Sequence, residues 1–188
     1  PTKYSEPIRN DMMKVAVVTP YFGTREDWLQ QCHDSVLAQT HSCTQILVAD
    51  GEVSEVARDF ECLHIELPRN VGDYGDTPRA LGSIYAAGLG FDAVAYLDAD
   101  NWYEPEHIKS LVDLHDRTGA AVCTSGRTLY GLDGSRLGVD EEVDGEHFVD
   151  TSCLFLTREA FDVFPVWSSM SAQLHALDDR IVWAEIID

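Results

Sequence analysis

Short runs of apolar residues alternate with segments of helical periodicity along the first two thirds of the chain. The apolar runs predict buried strands at 14–20, 45–51, 62–67, 93–97 and 120–124. The segments between them place apolar residues on one helical face, which predicts helices that pack against the strands. Strands that alternate with helices in this way predict an α/β fold with a mostly parallel sheet flanked by helices.

Two helix starts are predicted from residues that commonly cap helices. Thr24 followed by Asp27 resembles a capping box and predicts a helix that runs to about residue 39. Thr77 followed by Pro78 predicts a second helix, with Thr77 as its N-cap and Pro78 at the first helical position. Arg79 then falls in the first turn, where a cation is mildly unfavourable, and this favours a role in binding an anion.

The pattern changes after residue 125. The segments 128–132 and 136–139 flank Asp133-Gly134, a pair typical of a tight hairpin turn. A further strand is predicted within 147–157 and a final helix over 176–188. We therefore expect a small antiparallel extension of the parallel sheet.

Acidic residues are in large excess. The 188 residues include 33 Asp and Glu against 13 Lys and Arg, a formal net charge of −20. This charge repels nucleic acids and anionic membrane surfaces, so neither is an expected partner. It also repels a nucleoside diphosphate, so such a ligand would need a bound cation and local arginines.

The cysteines and the lack of a targeting segment in the sequence favour a cytoplasmic protein. The five cysteines are odd in number and have no Cys-x-x-Cys spacing, which is typical of reduced thiols. The sequence has no signal peptide pattern and no apolar run long enough to span a bilayer. Residues 1–13 are polar and unpatterned, and we expect a disordered tail or cloning remnant before a single domain over 14–188.

Two carboxylates one residue apart, Asp98 and Asp100, directly follow the apolar run 93–97. A strand that ends in this way presents both side chains at the rim of a sheet, where ligands bind in open α/β folds. Carboxylate oxygens are ligands that Mg²⁺ and Mn²⁺ prefer, and such sites commonly take their remaining ligands from substrate phosphates. The sequence therefore predicts a metal and phosphate site, with Asp100 positioned for the metal.

Two other predicted strands also end in polar residues. Thr19 lies at the end of the first and Asp50 at the end of the second. Right-handed crossovers place these ends at one edge of the sheet, so the groups can converge with Asp98. A carboxylate such as Asp50 can accept hydrogen bonds from a base N–H or a ribose hydroxyl.

Two common nucleotide-binding signatures are absent from the sequence. No Gly-x-Gly-x-x-Gly follows the first strand, and no Gly-x-x-x-x-Gly-Lys occurs anywhere. A dehalogenase-type phosphatase also uses Asp-x-Asp, but normally on its first strand. In this chain the motif follows the fourth predicted strand. A nucleotidyltransferase, which binds a nucleotide and a metal on a similar sheet, stays an alternative.

Taken together and in order, several segments resemble family 2 glycosyltransferases with the Rossmann-like GT-A fold. Each segment is weakly specific, but the ordered set covers nearly the whole chain from residue 14. The matching segments are 17–22, 35–40, 48–51, 70–72 with Arg79, 96–100 with Pro105, 150–160 and 177–180.

The resemblance implies roles for particular residues. It implies that a nucleotide is bound by Thr19, Pro20, Tyr21, Asp50, Gly51, Arg79 and Asp98. It further implies that Asp100 coordinates Mn²⁺ or Mg²⁺ and that Asp179 is the catalytic base, with Asp178 in the place of the family's Glu. Without the resemblance, an acidic pair at a helix start is explained by the helix dipole.

The resemblance thus implies a metal-dependent, inverting glycosyltransferase that moves a sugar from a UDP-sugar to a hydroxyl acceptor. It divides the domain into a nucleotide-binding half, 14–103, and an acceptor and catalytic half, 104–188. The chain departs from the family pattern at 73–76 and ends soon after Asp179, so we expect little acceptor-binding structure and leave the acceptor open. A nucleotide-sugar-binding protein without turnover is the alternative outside enzymes.

Overall fold

Eight strands are present in the computed structural model, which describes residues 12–188. They are β1 Val15–Tyr21, β2 Cys43–Ala49, β3 Leu63–Glu66, β4 Ala93–Tyr96, β5 Val122–Thr124, β6 Thr128–Tyr130, β7 Arg136–Val139 and β8 Leu154–Thr157. Six of them form one sheet in the order β3-β2-β1-β4-β8-β5. The predicted tail at 1–13 lies outside the described residues, apart from Met12 and Met13.

The sheet is mostly parallel, as predicted. Strands β3, β2, β1 and β4 are parallel neighbours, and β8 runs antiparallel to both β4 and β5. The predicted hairpin is present as β6 and β7, but it forms its own two-stranded sheet. The antiparallel member of the main sheet is therefore β8 rather than the hairpin.

Among residues 12–188, five α-helices cover the two faces of the sheet: α1 Glu26–Leu37, α2 Asp76–Gly88, α3 His107–Thr118, α4 Phe164–Ser169 and α5 Asp178–Ile187. On one face, α2, α4 and α5 bury an apolar cluster that includes Trp167 and Val182. On the other, α1 and α3 bury a second cluster that includes Cys32 and Ile108. Among the described helices, none combines the length and the apolar character that crossing a bilayer requires.

Both predicted caps are wrong. Helix α1 is preceded by Arg25, which makes no side-chain cap, and Asp27 pairs with the Arg25 guanidinium at 2.5 Å instead of completing a capping box with Thr24. Helix α2 begins at Asp76, because Gly75 adopts a left-handed φ of 93° that turns the loop into the helix before Thr77. The Thr77 backbone N–H then donates to the Asp73 carboxylate at 2.9 Å.

The strand predicted within 147–157 is shorter than expected. The Asp150 carboxylate accepts a hydrogen bond from the Ser152 backbone N–H at 3.0 Å and caps a short 3₁₀ turn, Thr151–Cys153. Strand β8 therefore begins only at Leu154. This turn brings Ser152 next to the end of β4, where its hydroxyl accepts a hydrogen bond from the Asp98 backbone N–H at 3.3 Å.

The close approach of α2 to the sheet depends on Gly82. A Cβ at this position would lie 2.6 Å from Val18 Cγ1, whereas a Cβ at Gly88 in the same helix would meet no atom within 4 Å. We expect Gly82→Ala to lower the free energy of unfolding by about 1–3 kcal/mol through overpacking. Gly88→Ala, the matched control, should be neutral or stabilise by up to about 1 kcal/mol.

Urea denaturation of both variants measures the two effects. Equal stability of Gly82→Ala and Gly88→Ala would contradict the close packing of α2 on β1.

Candidate active site

A cavity of about 650 Å³ opens at the edge of the sheet where the parallel strands end. Its wall comes from the end of β1 and the loop before α1, the end of β2, the loop before α2, and the residues after β4. The lining residues are Pro20, Tyr21, Phe22, Gly23, Thr24, Arg25, Trp28, Asp50, Asn70, Gly72, Tyr74, Gly75, Arg79, Asp98, Ala99 and Asp100.

Most of the predicted site residues meet at this cavity. Those in its wall are Pro20, Tyr21, Asp50, Arg79, Asp98 and Asp100. Strand register explains the convergence: β1 pairs with β2 through Tyr21 and Ala49, and with β4 through Val18 and Tyr96. The residues that follow these strands therefore reach the same edge of the sheet.

Two predicted nucleotide-binding residues, Thr19 and Gly51, lie outside the cavity wall. Thr19 is fully buried, and its hydroxyl accepts a hydrogen bond from Gln45 Nε2 at 3.1 Å, beneath the cavity on the α1 side of the sheet. Gly51 has a φ of 88°, and a Cβ there would lie 2.1 Å from the Asn70 backbone nitrogen. The role of Gly51 in this structure is to let the loop before α2 pass close to the end of β2.

Asp50 is held rigidly in the cavity wall. One of its carboxylate oxygens accepts a hydrogen bond from the Val71 backbone N–H at 2.9 Å, and the other accepts one from Asn70 Nδ2 at 2.8 Å. Each carboxylate oxygen has a second lone pair. The fixed Asp50 carboxylate can therefore accept further hydrogen bonds from a ligand without losing the loop contacts.

Asp98 and Asp100 stand side by side in different surroundings. Asp98 is half-buried and accepts a hydrogen bond from Arg79 Nη2 at 2.6 Å. Asp100 is exposed, and none of residues 12–188 forms a salt bridge with it. Partial desolvation and the neighbouring Asp98 carboxylate raise the pKa of Asp100. A bound cation would oppose both effects, so Asp100 is the group of this pair that is open to one.

The protein provides part of a metal coordination shell, and a substrate would have to provide the rest. Within 12–188 there is no cluster of three or more His, Cys, Asp or Glu side chains that could hold a metal ion. Asp98 and Asp100 supply hard oxygen ligands beside a cavity with room for a phosphate. This set fits Mg²⁺ or Mn²⁺, which are commonly held by one or two carboxylates together with substrate phosphates.

Arg79 lies in the cavity wall but is largely buried among three carboxyl groups, and only 6% of the residue is exposed. Its guanidinium lies 2.6 Å from Asp98, 3.2 Å from Asp178 and 3.5 Å from Asp76. Burial lowers the pKa of Arg79, but these carboxylates raise it by more, so the net shift is upward. In this structure, therefore, Arg79 pairs with carboxyl groups of the protein itself.

Asp76 and His175 form a further buried pair next to Arg79. His175 Nδ1 lies 2.6 Å from Asp76 Oδ2, and the Asp76 side chain is completely buried. Burial and the adjacent Asp178 carboxyl group raise the pKa of Asp76 to about 7, although His175 and Arg79 act in the opposite direction. Asp76 therefore holds its proton over most of the acidic range.

The acidic pair at the start of α5 divides into two environments. Asp178 accepts a hydrogen bond from Arg79 Nη1 at 3.2 Å. Within the described part of the chain, Asp179 accepts one only from the backbone N–H of Arg180, at 2.7 Å. Desolvation, Asp178 and Asp150 raise its pKa. Neither carboxylate is in the cavity wall. Asp179 is therefore the member of the pair that is free to take a proton from another molecule.

Aromatic side chains surround the mouth of the cavity. Phe22 and Tyr74 are largely exposed, and Arg25 stacks over the Trp28 ring at 4.6 Å. Tyr74 has a positive φ of 57°, unusual for a bulky residue, and its carbonyl accepts a hydrogen bond from Arg79 Nη1 at 3.0 Å. The departure at 73–76 thus places an aromatic ring at the entrance.

Asp76 and Asn70 belong to the site but were not predicted from the sequence, and no contact was predicted for His175. Asp76 and Arg79 are three residues apart, a spacing that places two helical side chains together, so this pair was open to prediction. The contact between Asp76 and His175 joins residues 99 positions apart and leaves no local pattern in the sequence.

One family profile and two curated proteins match this chain. The profile described as glycosyl transferase family 2 matches residues 16–162. An uncharacterized glycosyltransferase from Nostoc sp. is 27% identical over 106 residues, which are 54% of this chain and 33% of that protein. The glucosyl-dolichyl phosphate glucuronosyltransferase of Haloferax volcanii is 29% identical over 175 residues, 81% of this chain and 54% of that protein. The chain thus spans about half or less of these curated relatives.

Crystal structures of TarS from S. aureus share the fold. A fragment that spans residues 1–349 of TarS superposes with a TM-score of 0.63 at 13% identity, over 93% of this chain and 55% of that fragment. The same fragment in complex with UDP superposes with a TM-score of 0.61, and in complex with UDP-GlcNAc with 0.57. At this identity the similarity shows the fold alone, and it confirms the fold class predicted from the sequence.

The burial of Asp76 makes stability depend on pH. Its pKa is about 7 in the folded chain and near 3.8 when unfolded, so folding favours the protonated form. The stability that this proton contributes is fully present below about pH 4 and is lost as the pH rises to about 7. The amide of Asp76→Asn cannot ionise. The melting temperature of this variant should therefore rise relative to that of the wild type as the pH increases from about 4 to about 7.

Differential scanning fluorimetry at several pH values between about 4 and 8 measures this difference. Asp116→Asn, an exposed residue on α3, is the control and should follow the wild type. A difference between Asp76→Asn and wild type that stays constant with pH would contradict the burial of an ionisable Asp76.

Proposed function

We propose that this chain, which belongs to glycosyl transferase family 2, transfers a sugar from a nucleotide sugar to a hydroxyl acceptor. The observation that carries the proposal is the convergence of Asp50, Asp98 and Asp100 on one 650 Å³ cavity at the carboxyl edge of the sheet. The TarS complexes with UDP and UDP-GlcNAc support UDP as the nucleotide.

The nucleoside is proposed to bind beside Asp50 in the 14–103 half of the domain. Asp50 keeps free lone pairs for a base N–H or a ribose hydroxyl while the loop before α2 fixes its position. Pro20 and Tyr21 form the adjacent wall. The Tyr21 hydroxyl is hydrogen-bonded to His64 at 2.8 Å, so its ring is already fixed before a ligand binds.

The diphosphate is proposed to lie beside Asp98 and Asp100. In a protein with a net charge of −20, a diphosphate next to two carboxylates requires a cation. Mg²⁺ or Mn²⁺ held by Asp100, with Asp98 beside it, would stabilise the negative charge of the departing nucleoside diphosphate as a Lewis acid. Arg79 supports this arrangement indirectly, because it orients Asp98 through the 2.6 Å contact.

Asp179 is proposed as the general base in the 104–188 half of the domain. An acceptor hydroxyl is a poor nucleophile until a carboxylate takes its proton in the transition state. The raised pKa of Asp179 brings this carboxylate closer to the proton affinity that such a base needs. Attack from the side opposite the leaving group, in a single displacement, would invert the anomeric centre.

The role of Asp100 predicts that UDP binding depends on a divalent cation. Isothermal titration calorimetry of UDP with Mn²⁺ should give an affinity at least about tenfold higher than in EDTA, equivalent to about 1.4 kcal/mol. Asp100→Ala should lose this difference, because the exposed carboxylate is the proposed cation ligand. Asp116→Ala, which removes a distant surface charge, should keep it. Equal UDP affinity with and without the cation would exclude the proposed metal role.

The role of Asp179 predicts a loss of turnover without a loss of donor binding. General-base assistance contributes about 10²–10⁴-fold, so Asp179→Asn should reduce sugar transfer by that factor while UDP affinity stays within about twofold. Asp178→Asn should be less damaging, because its amide oxygen can still accept a hydrogen bond from Arg79. Initial rates of UDP release from several UDP-sugars and hydroxyl acceptors measure the effect.

A greater loss in Asp178→Asn than in Asp179→Asn would refute the assignment of the base. Wild-type protein that binds UDP-sugars tightly but never releases UDP would instead favour a nucleotide-sugar-binding protein without turnover.

A further inference from the structure

The segment that leads into α5 is held to the rest of the domain by polar contacts rather than by apolar packing. The 3₁₀ turn before the helix, His175–Leu177, contains no fully buried residue. Leu174 and Leu177 are 41% and 48% exposed. The first buried apolar residue of α5 is Val182, a full turn beyond the acidic pair. Apolar packing therefore fixes the middle of α5 but not its start.

Two contacts connect this start to α2. His175 Nδ1 lies 2.6 Å from Asp76 Oδ2, at the first residue of α2. One turn further along α2, Arg79 donates to Asp178 at 3.2 Å and, through its other terminal nitrogen, to Asp98 at 2.6 Å. A continuous polar path thus runs from the cavity wall to the candidate base segment.

Burial gives these contacts an energetic consequence that surface pairs lack. The Asp76 side chain is fully buried and that of His175 is 14% exposed. Asp76 Oδ1 has no hydrogen-bond partner among residues 12–188, so His175 is the main polar partner of the carboxyl group. Removal of His175 would leave this buried carboxyl group with only the longer 3.5 Å contact to Arg79, whereas exposed pairs contribute little.

We infer that Asp76 and His175 are positioning residues that fix the start of α5, and with it Asp179, relative to the nucleotide cavity. The inference rests on the proposed function, because a base must lie within hydrogen-bond reach of the hydroxyl that it deprotonates. A misplacement of about 1 Å can cost about 10²-fold in rate. His175 is not one of the residues that line the cavity, and its side-chain hydrogen bond within 12–188 goes to Asp76 rather than to Asp179, so it would act on the reaction through the placement of this segment.

The chemistry of the pair allows a set of closely matched variants. In His175→Asn the side-chain amide nitrogen takes the place of Nδ1 and can still hydrogen-bond to Asp76. In His175→Gln the amide nitrogen lies one bond further out and cannot make the same contact, and in His175→Ala the partner is removed. His147→Ala is the control, because His147 also contacts an aspartate, Asp144 at 2.8 Å, but with a side chain that is 83% exposed.

Hydrogen–deuterium exchange tests the positioning without any assay of activity. Residues 174–180 should exchange at least about tenfold faster in His175→Ala and His175→Gln than in wild type, while β1 and β2 stay unchanged. His175→Asn should restore most of the protection, and His147→Ala should resemble wild type. Unchanged exchange at 174–180 in His175→Gln and His175→Ala would overturn the inference. Should His175→Ala fail to fold, the contrast between the Asn and Gln variants decides the same question.

Steady-state kinetics then test the consequence for turnover. His175→Ala and His175→Gln should lower kcat by about 10- to 100-fold with the KM for the donor within about twofold, and His175→Asn should recover most of kcat. A rise in KM with unchanged kcat, or no difference between the Asn and Gln variants, would overturn the positioning role. If wild type shows no transfer, the proposed function fails, whereas the exchange data still decide whether His175 fixes the start of α5.

Discussion

The buried guanidinium of Arg79 is the interaction on which the site depends. One cation lies among the carboxyl groups of Asp76, Asp98 and Asp178, which come from three separate parts of the chain. A buried charge is tolerated only when it is paired, and the loss of one partner is strongly destabilising. Arg79 therefore ties the start of α2, the end of β4 and the start of α5 into one unit.

One cation cannot neutralise three carboxylates, and the pKa of Asp76 shows how the imbalance is resolved. Burial and the adjacent Asp178 carboxyl group raise this pKa to about 7, so at acidic pH a proton on Asp76, next to His175, offsets part of the excess negative charge. At the solvent side of the same cluster the excess persists on Asp100. Burial and neighbouring carboxyl groups thus raise the pKa of Asp76 inside the protein, and desolvation and Asp98 raise that of Asp100 at the solvent side, where a divalent cation would oppose the effect.

Most of the fold follows from the local pattern of residues. Buried apolar runs such as 93–97 and the intervening helical periodicity predicted the strands of the main sheet, most of the helices and the mostly parallel arrangement, because burial on both faces requires such patterns. Helix α4 was not predicted. The predictions that were wrong concern the exact ends of helices and strands, where several neighbouring residues could each form the cap or turn. Gly75 rather than Thr77 is the residue before the first turn of α2, and Asp150 caps a 3₁₀ turn where a longer strand is predicted.

The sequence by itself determined which chemical groups reach the cavity, since Asp50, Asp98 and Asp100 follow parallel strands that end at the same edge of a sheet. Only the tertiary structure decided what each group contacts. In the folded chain Thr19 is buried beneath the cavity, Arg79 forms ion pairs with carboxylates of the protein, and Asp76 contacts His175. The positions of the strands follow from local periodicity, whereas pairing between buried charges depends on which distant segments packing brings together, and that leaves no periodic trace along the chain.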